Sequence, residues 1–307
     1  MSKLAAPAPN PAKGGKGDGA KAGFLYALSA YGLWGFLPLY FWVMDGVPVL
    51  QLLAHRVVWS LPVALAVLAA TGRLPELWAL RKEPRLLAMM ALTATFISIN
   101  WGVYILSVEM NLTSQAALGY YINPLISVLM GVVLLSERLD RLQKAAIALA
   151  FVGVVVKTIA GGTFPLIALT LAFSFAFYGY LRKTVAIGPT AGFTVEVALL
   201  FPLALGYLIW VEVQGTGAFT QSLETAGWLA FAGPVTATPL ILYAYSAKRL
   251  RLATLGLMQY IAPSMIFLLA FTLFGEPLDA AQIVTFALIW SALVLYTISV
   301  MRPVKQG

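Results

Sequence analysis

Ten apolar stretches, each about as long as a bilayer is thick, leave this chain one kind of fold. A hydrocarbon core about 30 Å thick is crossed by roughly 20 apolar residues in a helix. Such stretches run over about 23–43, 48–71, 86–107, 113–135, 142–160, 164–181, 191–211, 226–247, 252–274 and 279–301. With no water at that depth, each segment must satisfy its own backbone, so helices are expected and open sheets are not. The loops are too short to hold a separate soluble domain. Of the 307 residues 61% are apolar and only 10% charged, against about 25% charged in soluble domains. The expected class is an all-α membrane protein of ten transmembrane helices.

Residues 1–22 differ. MSKLAAPAPNPAKGGKGDGAKA is rich in Pro, Gly, Ala and Lys and reads as a disordered tail. Its GGKGDG run lacks the spacing and the preceding strand of a phosphate-binding loop. No apolar stretch precedes it, so no cleavable signal peptide is expected.

Basic residues orient the bundle. Lys3, Lys13, Lys16 and Lys21, then Arg73, Arg81, Lys82 and Arg85, then Arg138, Arg141 and Lys144 fall on one side. Arg182 and Lys183, Lys248, Arg249 and Arg251, and Arg302 and Lys305 fall on the same side. The opposite loops hold Lys157 alone, and Arg56 lies inside a span. Positive-inside then places both termini, and the tail, in the cytoplasm. This split accounts for the net charge of +8 without a basic nucleic-acid face, so no nucleic-acid partner is expected.

The two halves resemble each other. At an offset of 139 residues, LGYYINPLISVLMGVVLLSERLDRLQ (118–143) falls on LMQYIAPSMIFLLAFTLFGEPLDAAQ (257–282). Tyr121 meets Tyr260, Pro124 meets Pro263, Glu137 meets Glu276 and Asp140 meets Asp279. Upstream, Tyr104 meets Tyr243 and Ser107 meets Ser246; at an offset of 140, Arg56 meets Glu196. Five helices is an odd number, so the second copy (161–307) enters the membrane opposite to the first (23–160). An inverted duplication suits a transporter with a midplane site between its halves.

Ionisable groups within spans are expensive, at about 2.5–3.5 kcal/mol on insertion scales. Arg56 and Glu196 are read as lining a pathway across one cavity, Arg56 anchoring an anionic group and Glu196 a cation or proton. The structural alternative is that they snorkel or bond to backbone. His55, the sole histidine, titrates near neutral pH when unperturbed, and a hydrogen-bonded structural role stands beside a functional one. Seven prolines fall inside spans: Pro38, Pro62, Pro124, Pro202, Pro234, Pro239 and Pro263. Each frees a carbonyl about one turn earlier. Pro124 and Pro263 are taken as hinges that present Asn123, Tyr121, Gln259 and Tyr260 near the midplane, as substrate ligands or as interhelical bonds. Tyr31, Trp34, Asn100, Trp101, Tyr104, Phe177, Tyr178, Tyr243 and Tyr245 are candidate walls, and interface belts use the same residue types. Glu137 and Glu276 close helices at the membrane edges as gate or bracket. Gly119, Gly131 and Gly153 permit close helix packing.

AHRVVWS (54–60), NW at 100–101, LGYYINPL (118–125), LAFSFAFYGYLRK (171–183) and TLGLMQYIAPSMIFLLA (254–270) together resemble the RarD group of the EamA family, in the drug/metabolite transporter superfamily. The resemblance runs from about residue 23 to 301 and leaves the tail outside. It implies a ten-helix, two-repeat permease of a bacterial inner membrane, in a group named for a link to chloramphenicol sensitivity.

The function expected is secondary transport of a small amphipathic metabolite or drug by alternating access, with a proton as candidate coupling ion. No cysteine and one histidine leave no ligand set for a zinc site, and no cofactor is expected. An intramembrane serine protease would want Gly-x-Ser-x-Gly with a histidine partner; the pentapeptide does not occur, and no enzymatic activity is expected. A non-transporting sensor or assembly partner is the remaining alternative.

Overall fold

Residues 16–161, 164–273, 275 and 280–301 are described by a computed structural model. Among them the chain is helical throughout, without a strand. The helices are α1 (Lys16–Gly35), α2 (Leu37–Val43), α3 (Val49–Ala70), α4 (Pro75–Leu80), α5 (Pro84–Glu109), α6 (Thr113–Leu135) and α7 (Arg141–Gly161). There follow α8 (Leu166–Thr184), α9 (Pro189–Val213), α10 (Leu223–Ala247), α11 (Leu252–Met258), α12 (Ile261–Thr272) and α13 (Ala280–Met301). Nine segments among the described residues are long and apolar enough to cross a membrane. The segment expected at 164–181 is the helix α8, but it is not among those nine. It ends in Arg182 and Lys183 and is packed by α5, α6 and α10. A helix enclosed by protein has less need of an apolar surface than one facing lipid.

Two expected spans are broken helices. Pro38 has no N–H to continue the ladder, so α1 ends at Gly35 and α2 resumes at Leu37. Between α11 and α12 the amides of Gln259 and Tyr260 turn back to Gly256 and Leu257 at 3.1 and 3.2 Å, a tightened turn just before Pro263. By contrast α6 runs through Pro124 without a break. The helix α1 starts at Lys16, which corrects the expected tail: residues 16–22 are helical. Extending a formed helix adds one hydrogen bond per residue fixed, and Ala20, Lys21 and Ala22 favour it. Residues 1–15, Glu276, Asp279, Arg302 and Lys305 lie outside the described residues.

The bundle is held by a few closely packed helix pairs. α3 lies against α9 and α10, α6 against α8 and α11, α1 against α10 and α12, α5 against α8 and α9, and α7 against α13. A Cβ at Gly119 would meet the Ala168 carbonyl oxygen of α8 at 3.1 Å, and one at Gly153 the Thr285 carbonyl oxygen of α13 at 3.3 Å. Glycine is what lets these backbones approach. Ser107 and Ser246 each donate to the carbonyl three residues back, on Tyr104 at 2.6 Å and Tyr243 at 2.7 Å.

Candidate functional site

A half-buried cation sits within this bundle without a counter-charge among the described residues. Arg56 projects from α3, and its Nε donates to the Thr236 hydroxyl of α10 at 2.9 Å. Its guanidinium carbon lies 5.4 Å from the centre of the Trp101 ring on α5, within cation–π range. Tyr40, Tyr104 and Tyr120 lie within its electrostatic reach. Arg56 is half-buried and Tyr120 41% exposed, so the space beside them, the Arg56 cleft, is accessible. Among the described residues no carboxylate stands within ion-pairing distance of Arg56. The bond to Thr236 is its one side-chain hydrogen bond among the described residues, so Nη1 and Nη2 have no described partner.

Glu196 does not face that cleft, which corrects the shared cavity expected for the two charges. It is 2% exposed on α9 and pairs with Arg182 of α8, Nη1 to Oε1 at 3.4 Å. The Tyr178 hydroxyl donates to its other oxygen at 3.3 Å, and Thr93 of α5 lies near, its hydroxyl donating to the Met90 carbonyl oxygen at 2.8 Å. Arg182 also donates to the Pro189 carbonyl oxygen at 2.6 Å. Glu196 is thus held by side chains of α8, neither snorkelling nor bonded to backbone. Close by, two helix ends clasp each other. Lys183 donates to the Leu250 carbonyl oxygen at 2.5 Å, and Lys248 donates to Lys183 and Val185 at the end of α8. Burial, with Arg182 and Lys183 near, holds the Lys248 amine down to about 8.

Four of the expected aromatic walls touch one another. Tyr178 stacks on Tyr243 at 6.1 Å, Tyr243 meets Tyr31 and Trp34 at 6.2 and 5.8 Å, and Phe175 joins them. The Tyr31 hydroxyl donates to the Leu255 carbonyl oxygen at 2.9 Å. Gly179 leaves the space that the Tyr243 hydroxyl fills. These rings form a filled wall between α1, α8 and α10, whereas Trp101 and Tyr104 line the Arg56 side. Phe177 stacks on Phe96 at 5.2 Å, and Tyr245 accepts from Arg73 at 3.1 Å.

The amides hold helices together. Asn100 donates to the Leu171 carbonyl oxygen at 2.9 Å and Asn123 to that of Ala172 at 3.0 Å, so α5 and α6 both grip α8. The Tyr260 hydroxyl donates to the Tyr121 carbonyl oxygen at 2.9 Å, in the turn before Pro124. Gln259, 8% exposed, lies in the break between α11 and α12. His55, 4% exposed, stacks on Phe219 at 5.3 Å, and neither ring nitrogen has a hydrogen-bond partner among the described residues. Glu137 accepts from the Leu252 and Ala253 amides at 2.6 and 2.9 Å, so it brackets the start of α11. A cavity of about 710 Å³ opens between α6 and α7, with Ile126, Leu129, Ile147 and Phe151 among its walls. None of the expected pathway residues lines it.

Sequence reading missed Arg182, taken only as a loop charge, together with Tyr40, Tyr120 and Thr236. A signal existed for Arg182: it lies one helical turn after Tyr178, so both share a face. Nothing local marks Thr236 as the partner of a residue 180 positions away.

The sequence profile of the EamA-like transporter family matches residues 21–159. Protein RarD of Streptomyces exfoliatus is 42% identical over 288 residues, covering 94% of this chain and 91% of that protein. An uncharacterized transporter of Vibrio cholerae is 42% identical over 92% of this chain and 94% of its own length. A solved crystal structure, 21% identical, superposes with a TM-score of 0.70 over 92% of this chain and 100% of that chain; it speaks for the fold alone.

Proposed function

The chain belongs to the EamA-like transporter family, and from that premise we propose that it is a secondary transporter working by alternating access. In this reading the ten helical segments, α8 among them, form two five-helix halves inserted oppositely in a bacterial inner membrane, both termini cytoplasmic. The cargo is a small amphipathic metabolite or drug, moved outward, and the Arg56 cleft is where it binds.

One observation carries the proposal: the packing pairs obey the repeat. Under the 139-residue offset α3 corresponds to α9, α5 to α10, α6 to α11 with α12, and α7 to α13. Three of the packed pairs, α3 with α9, α6 with α11 and α7 with α13, join such equivalents. The others come in exchanged couples: α5–α8 with α1–α10, α6–α8 with α1–α12, and α3–α10 with α5–α9. The matching Ser107 and Ser246 bonds support the same relation. Two similar halves meeting along a pseudo-twofold have two near-equivalent ways to tilt against each other, which is what alternating access requires.

The Arg182–Glu196 pair and the lysine clasp hold α8, α9 and α10 together at the end that positive-inside assigns to the cytoplasm. They would close that side while the Arg56 cleft is open. Glu196 is the group proposed to exchange a coupling proton. The test is flux in proteoliposomes loaded with candidate solutes, with and without a pH gradient. Accumulation that tracks the gradient supports proton coupling, equal rates in both conditions reject it, and no flux of any solute rejects transport in favour of a sensor.

A further inference from the structure

We propose that the Arg56 cleft recognises an organic monoanion, a carboxylate carried on a ring-bearing body. The inference rests on the transport reading and names the class of its cargo. A half-buried cation at membrane depth without a counter-charge is costly, and the described carboxylates leave Arg56 uncompensated. The other interior arginine, Arg182, already has Glu196, so the vacancy for an anion is at Arg56. Thr236 takes the Nε proton at 2.9 Å and fixes the plane of the guanidinium. That orientation leaves the Nη1 and Nη2 edge for two parallel bonds, the geometry in which arginine holds a carboxylate.

Charge count sets the valence. Arg56 is a single cation, and the groups around it are neutral tyrosines, Trp101 and Thr236. A dianion such as a phosphate monoester would keep one charge unmatched in a medium of low polarity. The walls set the body. Trp101 and Tyr120 present ring faces and edges that pair with an aromatic or other flat apolar group, and the Tyr104 and Tyr120 hydroxyls supply further donors for the carboxylate.

The test uses the full chain in lipid nanodiscs and a matched pair of probes, 3-phenylpropionate and its uncharged amide. A ligand that binds the folded state raises the melting temperature. The acid is expected to do so, and the amide at least about tenfold more weakly, since it forfeits a charge-assisted bidentate pair. Arg56→Gln is expected to lose the response to the acid, and Arg56→Lys to keep a weakened one. Equal responses to acid and amide in the unaltered protein, or none to the acid, would overturn the proposal without relying on a variant's folding. A well-folded Arg56→Gln protein that binds the acid undiminished would overturn it too. Flux separates the two readings: a protein that moves another solute but ignores the acid remains a transporter with a different cargo. One that binds the acid and moves nothing keeps the site and loses transport.

Discussion

The hydroxyl of Tyr260 donates to the carbonyl oxygen of Tyr121 at 2.9 Å, and these two tyrosines stand 139 residues apart, at the offset that aligns the halves of the chain. The bond joins α6 to the break between α11 and α12. The carbonyl that Pro124 frees is that of Tyr120, four residues before it, so the phenol bonds the carbonyl next to the freed one. The phenol therefore acts as part of the backbone network of its neighbour, where the interior offers no water to substitute.

Tyr260→Phe is expected to cost roughly 1 kcal/mol of stability, the usual net worth of one hydrogen bond. Thermal unfolding of the purified protein reads this directly. A Tyr260→Phe protein as stable as its parent would show that the crossing does not depend on the hydroxyl.

Glu137 caps α11 by accepting from two backbone amides. Glu137→Ala should cost about 1 kcal/mol, in line with loss of an N-terminal cap, and Glu137→Gln less, since the amide oxygen still accepts. Hydrogen exchange at the amides of residues 252–255 should quicken in Glu137→Ala while α13 is unaffected. Unchanged exchange there would refute the bracket role.

Arg182 and Glu196 form a pair 1% and 3% exposed at their side chains. Removing one partner strands the other, so Glu196→Leu or Arg182→Met alone should destabilise by about 3–5 kcal/mol. The double variant should recover much of the loss. If the double variant is as damaged as the two singles together, the residues act independently.

Lys248, in the turn after α10, is held down to about 8 from the ordinary 10.5. Below about 8 the amine is charged in the folded and unfolded chain alike, and the burial penalty is present in full. Between about 8 and 10.5 the unfolded chain holds the proton that the folded protein has released, so stability rises with pH. Melting temperature measured from pH 7.5 to 9.5 should climb, and in Lys248→Met the contribution of this group to the slope should vanish. An identical slope in both proteins would exclude Lys248 as its source.

Asn123→Ala removes one of the two amides gripping α8 and is expected to cost about 0.6–2 kcal/mol, the range for polar contacts between membrane helices. The response to a ligand at the Arg56 cleft should survive the change, because Asn123 bonds Ala172 rather than Arg56 or its neighbours. Loss of ligand response in a stably folded Asn123→Ala protein would return Asn123 to the pathway.

Much of the architecture was legible in linear order. Apolar segments of bilayer length announce themselves through composition, and Tyr-Ile-x-Pro followed by Glu-x-Leu-Asp recurs at an offset of 139 residues. The breaks were half legible: Pro38 and Pro263 lie beside interruptions, but Pro124 and Pro202 have the same chemistry inside continuous helices. Whether a proline breaks a helix depends on what surrounds the freed carbonyl, and that is set by how other helices pack against it. Among site residues, the need of Arg56 for a special environment was readable from its cost in lipid, as was that of Glu196.

By itself the sequence determined where the chain is apolar, which residues are too costly to face lipid, and which positions in the two halves correspond, since all three depend only on side-chain chemistry and spacing. The tertiary structure alone decided which charge found a partner. Glu196 met Arg182 because α8 and α9 pack side by side, while Arg56 met rings and a hydroxyl because α5 and α10 enclose it. Pairing across tens or hundreds of residues follows from how helices cross, and no local pattern records it.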